Sequence, residues 1–129
     1  MPRDPLATLA KLRTIDVQAA QRSLAEARAA FSAQQRVTDA AEAVIHAEQP
    51  GSLPFSYGAF LACGLAVRSA QRAALARAEA AQESQREALA LARGAEKVLG
   101  MLRERRAAQH RRQATRREQA RLEDALPRG

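Results

Sequence analysis

Apolar residues recur every three or four positions from Pro5 to about Glu48, and no further Gly or Pro interrupts them. This spacing predicts one amphipathic helix whose apolar side faces a partner. Asp4 and Pro5 predict its first turn, because Asp is a favoured N-cap and Pro is tolerated at the first helical position. The predicted apolar seam consists of Leu6, Ala10, Arg13, Val17, Ala20, Leu24, Ala27, Phe31, Gln34, Thr38, Ala41 and Ile45.

A second, longer helical stretch runs from about Ala59 to Ala125. It contains no Pro, and only Gly64, Gly94 and Gly100 interrupt a run of strong helix formers. The helical composition continues well past Leu102, where the apolar spacing ends. We therefore expect the last part of this helix to be unpaired. The predicted seam consists of Val67, Ala70, Ala74, Ala78, Ala81, Gln85, Ala88, Ala92, Ala95, Leu99 and Leu102.

The segment 49–58 (QPGSLPFSYG) separates the two stretches and predicts a turn, because Pro and Gly stop helices. Folding the chain back near residue 54 pairs positions whose numbers add to about 108 or 109. Leu6 then meets Leu102, which is the last apolar residue of the other seam. The expected fold is all-α, a two-helix antiparallel coiled-coil hairpin. It forms a single domain over 1–129, with helices at 5–48 and 59–125 and an unpaired basic overhang.

Composition and charge favour this thin fold over a compact core. Alanine accounts for 32 residues and aromatic residues for only 3% of the chain. The formal net charge of +7 is unevenly distributed: residues 1–102 carry 12 Lys and Arg against 10 acids, and residues 103–129 carry 9 Arg against 4 acids. The overhang is therefore the basic part of the chain.

No motif for catalysis, for a cofactor or for a metal appears in the sequence. His46 and His110 lie on different helices, and Cys63 is a lone cysteine without an accompanying His. The most apolar window, Ala59 to Val67, is too short to span a bilayer. We expect a non-enzymatic, cytoplasmic protein without catalytic residues, cofactor or bound metal.

Two surfaces are candidates for contact with partners. An apolar set lies near the turn, and its alternative interpretation is a locally wider core. A basic set lies in the overhang, and its alternative interpretation is a solvated helix end that complements the helix dipole. The apolar set is Val37, Ala41, Val44, Phe60 and Val67. The basic set is Arg103, Arg105, Arg106, Arg112, Arg116 and Arg117.

Several short patterns resemble one known family over nearly the whole chain. They are residues 6–9 (LATL) in the first helix, Ser56 and Tyr57 followed by Phe60 and Leu61, and the charged segments 102–105 (LRER) and 116–124 (RREQARLED). The chain resembles the FliJ family, the coiled-coil stalk proteins of the flagellar type III export apparatus, whose injectisome counterparts are the YscO-type stalk proteins.

The resemblance implies a stalk and adaptor with three kinds of partner. The free end of the hairpin would enter the ring of the export ATPase hexamer and promote its assembly and activity, which assigns the basic set to the ring. The apolar set would contact the cytosolic linker of the membrane export gate, and export chaperones would bind as well. The protein would then work at the cytoplasmic face of the export apparatus, reaching the membrane through its partners alone.

Two other functions compete with this one. A basic coiled coil can bind nucleic acid, although no aromatic residues interleave the arginines and Glu104, Glu118 and Glu123 dilute them. A coiled coil can also associate with itself, in which case the overhang would pair only in the dimer.

Overall fold

Two helices form a hairpin in the computed structural model, which describes residues 4–47 and 54–127. Helix α1 spans Pro5–Ala47 and helix α2 spans Pro54–Ala125. They pack against each other, and the described residues contain no strand. The all-α hairpin with a longer second helix is confirmed.

The start of α1 follows the predicted cap. The backbone N–H of Leu6 donates to Oδ1 of Asp4 at 3.0 Å, and the N–H of Thr8 donates to the Asp4 carbonyl at 3.3 Å. The first bond satisfies a donor that has no partner within the first helical turn, and the second is the first regular bond of the helix. Pro5 needs no hydrogen-bond acceptor, because its backbone nitrogen carries no hydrogen.

The sequence-based prediction places the end of the turn too late in the chain. Helix α2 begins at Pro54, five residues before the expected start at Ala59, and ends at Ala125 as expected. Pro54 fits the first helical position, where its fixed φ is already suitable. Gly58 continues the helix, and a Cβ built there would meet nothing within 4 Å. Residues 49–53, the other part of the predicted turn, and residue 48, the predicted end of the first helix, lie outside the described residues.

The chain divides into two packing units, and both helices contribute to each. One unit comprises Met1–Val17 with Leu91–Gly129, and the other comprises Gln18–Ala90. The first contains the buried side chains of Val17 and Leu99. The second contains those of Leu24, Leu89 and Thr38.

Contacts in the Gln18–Ala90 unit establish an antiparallel register. A Cβ added to Gly64 would lie 3.1 Å from Cγ1 of Ile45, so glycine permits a close approach here. The Thr38 hydroxyl donates to the Gln34 carbonyl at 2.9 Å and also lies 3.3 Å from the Gln71 carbonyl. Nε2 of Gln34 donates to Oε1 of Gln71 at 2.6 Å. The residue numbers of the pairs 45/64 and 38/71 both add to 109, as the sequence predicts.

The contact between the helices in the Met1–Val17 and Leu91–Gly129 unit differs by one from the predicted sum of 108 or 109. The hydroxyl of Thr14 lies 3.2 Å from Oε2 of Glu96, and these numbers add to 110. The same hydroxyl lies 3.1 Å from the Ala10 carbonyl. Leu6 does not pair with Leu102, which is 48% exposed. Leu99 is therefore the last buried side chain of α2 among the described residues, and the start of α1 lies beside Arg103 and Arg106.

The predicted seam is right on α1 and partly wrong on α2. All twelve α1 positions are buried or half-buried. On α2, five predicted positions are exposed, while neighbouring residues take part in packing, including Leu89 and two glutamines. Alanines are so frequent on α2 that the spacing of apolar residues fits two neighbouring lines along the helix. The prediction followed a line that is partly exposed to solvent. The five exposed positions are Val67, Ala70, Ala81, Ala88 and Leu102, and the packed neighbours are Arg68, Gln71, Gln82 and Leu89.

Leu24→Ala should lower the free energy of unfolding by about 2 to 3 kcal/mol, because Leu24 is 5% exposed and its loss leaves a cavity in the seam. Leu91→Ala is the matched control: Leu91 is 77% exposed, so its replacement should change stability by less than about 0.5 kcal/mol. Thermal and urea unfolding followed by circular dichroism measures both. Equal losses in the two variants would contradict the assigned seam.

The pKa of Glu42 should rise when Arg72 is replaced. Nε of Arg72 donates to Oε1 of Glu42 at 2.8 Å, and this bond and the Arg72 charge hold the pKa of that carboxyl below its ordinary value. A lowered pKa stabilises the folded chain at neutral pH, and this contribution is lost as the pH falls through the folded-state value. A carbon-detected NMR titration should show a higher Glu42 midpoint in Arg72→Gln and an unchanged one in Arg77→Gln.

Candidate functional site

The apolar residues predicted to contact a partner lie in the Gln18–Ala90 unit, and three of them are open to solvent. Val37, Val44 and Val67 are 48%, 51% and 45% exposed. Ala41 and Phe60 are half-buried beside them at the edge of the seam. We call these five residues the apolar edge. A locally wider core, the alternative interpretation of this set, would bury the three valines, whereas each of them remains about half exposed.

The two long edges of the seam differ in chemistry. Each helical residue is turned by about 100° from the one before it, so Val37 and Val44 project from one edge of the α1 seam. Val67 and the exposed Ala70 project from the same edge on α2. The ion pair of Glu42 and Arg72 marks the opposite edge. The apolar edge therefore lies on the side of the hairpin opposite the Glu42–Arg72 ion pair in this unit.

The arginines of the predicted basic set lie in the other unit, on a part of α2 that extends beyond the seam. From Gly100 to Pro127, every residue except Ala108 is exposed. Among the described residues, no carboxylate lies within 4.0 Å of any of the six arginines. Their charges are therefore available to an external partner.

The six arginines do not share one side of α2. Arg103 and Arg106 line an open notch of about 430 Å³ together with Asp4, Pro5 and Leu6, where α1 begins. Arg106 and Arg117 continue the line of the seam, by helical spacing. The remaining three project from one flank of the helix, and they are Arg105, Arg112 and Arg116. The six arginines thus occupy at least two sides of the helix and do not form a single stripe, as the sequence predicts.

The histidines, the cysteine and the acidic residues are dispersed along the described parts of the two helices. No three His, Cys, Asp or Glu side chains within 4–47 and 54–127 are grouped to hold a metal ion. Cys63 is exposed, and His46 and His110 belong to different packing units. In the same ranges, neither helix has an apolar stretch long enough to cross a bilayer. The described surface instead presents exposed apolar side chains and exposed arginines.

Sequence reasoning missed a second set of exposed apolar residues on α2. Leu91, Val98 and Met101 are 77%, 58% and 61% exposed. Their spacing of seven and three residues places them on one side of the helix. That spacing was available in the sequence, but the predicted seam passed beside it through Ala92, Ala95 and Leu99.

Comparisons of the chain with protein-family models, with curated proteins and with solved structures find no match.

Proposed function

We propose that this chain is a non-enzymatic stalk and adaptor of a flagellar type III protein export apparatus. It inserts into the ring of the export ATPase hexamer, promotes ring assembly and ATP hydrolysis, and links the ring to the membrane export gate and to export chaperones. Its place is the cytoplasmic face of that apparatus. The observation that carries the proposal is the asymmetry of the hairpin, in which α2 has 72 residues, α1 has 43, and the unpaired part of α2 is rich in arginine.

The distribution of charge suits insertion into a ring. A helix with arginines on several sides can contact a surface that surrounds it, whereas a flat partner would use only one side. The arginines keep their charge at any physiological pH and bind carboxylates with a planar pair of donors. An acidic lining of the ATPase ring would therefore attract this segment, more strongly at low ionic strength.

The apolar edge supports a second contact at the other packing unit. Val37, Val44 and Val67 are about half exposed on the edge opposite the Glu42–Arg72 ion pair, so a partner segment can cover them without breaking that pair. We assign the cytosolic linker of the export gate to this edge. Two separate surfaces of different chemistry allow one protein to join two partners.

Titration of this protein into its cognate export ATPase at moderate salt should raise the steady-state rate of ATP hydrolysis and the fraction of assembled hexamer. Arg116→Glu combined with Arg117→Glu should reduce that stimulation by about tenfold, because two attractive contacts become repulsive. The matched control is Arg22→Glu combined with Arg36→Glu, which changes the same charge at two exposed α1 positions and should retain stimulation.

The ATPase experiment rejects the proposal if the wild-type protein has no effect on the rate or on assembly. Retention of DNA in a gel, with affinity falling steeply as salt rises, would then favour the nucleic-acid alternative. Circular dichroism of the double variant checks the fold: unchanged helicity is expected because both arginines are exposed.

Val44→Asp should weaken binding of the purified gate linker by about tenfold, because a carboxylate in an apolar contact must be desolvated. Ala43→Asp is the matched control: it adds the same charge at the adjacent exposed residue, which is turned away from the apolar edge. Isothermal titration calorimetry with wild type and both variants measures the difference. Equal affinities in the two variants would remove the apolar edge from the proposed interface.

A further inference from the structure

One flank of α2 carries an apolar stripe that α1 does not cover. The stripe consists of Leu91, Val98, Met101 and Leu102, which are 77%, 58%, 61% and 48% exposed. Glu96, which contacts Thr14, and the buried Leu99 mark the side of α2 that faces α1 in this unit. By helical rotation, the stripe projects away from those two residues. It is therefore free to contact another molecule.

The same flank becomes basic after Leu102. Arg105, Arg112 and Arg116 follow at the spacing of the stripe, and all three are exposed. At about 1.5 Å per residue, the apolar part from Leu91 to Leu102 and the basic part from Arg105 to Arg116 are each about 16 Å long. We call the whole flank, from Leu91 to Arg116, the composite stripe.

Gly94 lies within the apolar part of the composite stripe. A glycine inside a helix costs about 1 kcal/mol relative to alanine. A Cβ at Gly94 would meet nothing within 4 Å, so the chain gains no close internal contact from its absence. The missing side chain instead leaves a shallow place between Leu91 and Val98, where the backbone of a partner helix can lie close to α2.

We propose that the composite stripe binds an amphipathic helix of another protein, with apolar residues along one half of its contact face and carboxylates along the other half. Burial of the exposed aliphatic side chains would supply the affinity. Charge-assisted bonds to the arginines would fix the direction of the bound helix. The apolar half of the composite stripe lies outside the basic set that is proposed to contact the ring, whereas Arg105, Arg112 and Arg116 belong to both surfaces.

Charge argues for a different protein as the partner. Residues 91–117 contain nine Lys and Arg and two acids, Glu96 and Glu104, so the segment has a net charge of +7. A second copy of this segment would be repelled. An acidic helix would be attracted to the basic half, and its apolar residues would then cover the other half.

A fluorescein-labelled synthetic helix tests the proposal with the full chain. The peptide carries leucines at heptad spacing over its first three turns and glutamates over its next three, and a second version reverses the two halves to test the opposite direction. Fluorescence anisotropy should show saturable binding of at least one version. Peptides with Lys in place of Glu, or with Ser in place of Leu, should bind at least about tenfold more weakly.

Two pairs of variants locate the binding site. Leu91→Asp and Arg112→Glu should each weaken peptide binding by about tenfold, while Leu12→Asp and Arg111→Glu should stay within about twofold of wild type. Leu12 is an equally apolar, exposed residue of α1, and Arg111 is the exposed neighbour of Arg112 on another side of the helix. Circular dichroism confirms that each variant remains helical.

Three results would overturn the proposal. The first is equal binding of the peptide by wild type and both stripe variants. The second is equal binding of the Lys and Glu peptides, which would show apolar adhesion without charge recognition. The third is the absence of binding by either peptide together with a dimer in sedimentation equilibrium that Leu91→Asp dissociates. In that case the molecule bound to the composite stripe would be a second copy of this chain.

Discussion

Burial of one narrow seam between two helices is the constraint on which the rest of this protein depends. A helix in a hairpin has a single neighbour, so only one side of it can be removed from water. Within the described residues, the buried apolar side chains are Val17, Leu24, Leu89 and Leu99, each 5–8% exposed. Every other aliphatic residue of the two helices must face solvent at least in part, or a partner. The exposed valines and leucines are consequences of this arrangement, and they give a small protein large apolar contact surfaces.

Polar groups within the seam define the register more sharply than its alanines do. Alanine side chains fit many relative positions of two helices, because they are small and lack directional contacts. Gln34, Thr38 and Gln71 form hydrogen bonds that a shift of either helix would break, leaving partly buried amides without partners. Gly64 adds a steric constraint, because a Cβ there would lie 3.1 Å from Cγ1 of Ile45, which would have to move by a few tenths of an ångström. These few residues compensate for the weak specificity of an alanine-rich interface.

Local chemistry made much of the fold predictable from the sequence. Asp4 and Pro5 fixed the start of α1, and the large residues at Val17, Leu24 and Phe31 marked its packed side without ambiguity. The seam of α2 was less predictable, because alanines occupy both the packed side and its neighbour. The residues that face α1 shift gradually around a long helix. The spacing of apolar residues therefore does not show whether Ala88 or Leu89 is the one that is packed. The basic set was visible as a charge difference, but the exposure of Leu91 and Val98 depended on the register and required the structure.

Thiol accessibility at residues 88 and 89 tests this register most directly. In a Cys63→Ala background, Ala88→Cys and Leu89→Cys place one thiol at adjacent positions, one exposed and the other 8% exposed in the structure. The rate of maleimide labelling under native conditions should be close to that of an unfolded control at residue 88 and at least about tenfold slower at residue 89. Slow labelling at residue 88 with fast labelling at residue 89 would contradict the assigned seam, and with it the exposure of the surfaces that both proposed interactions use.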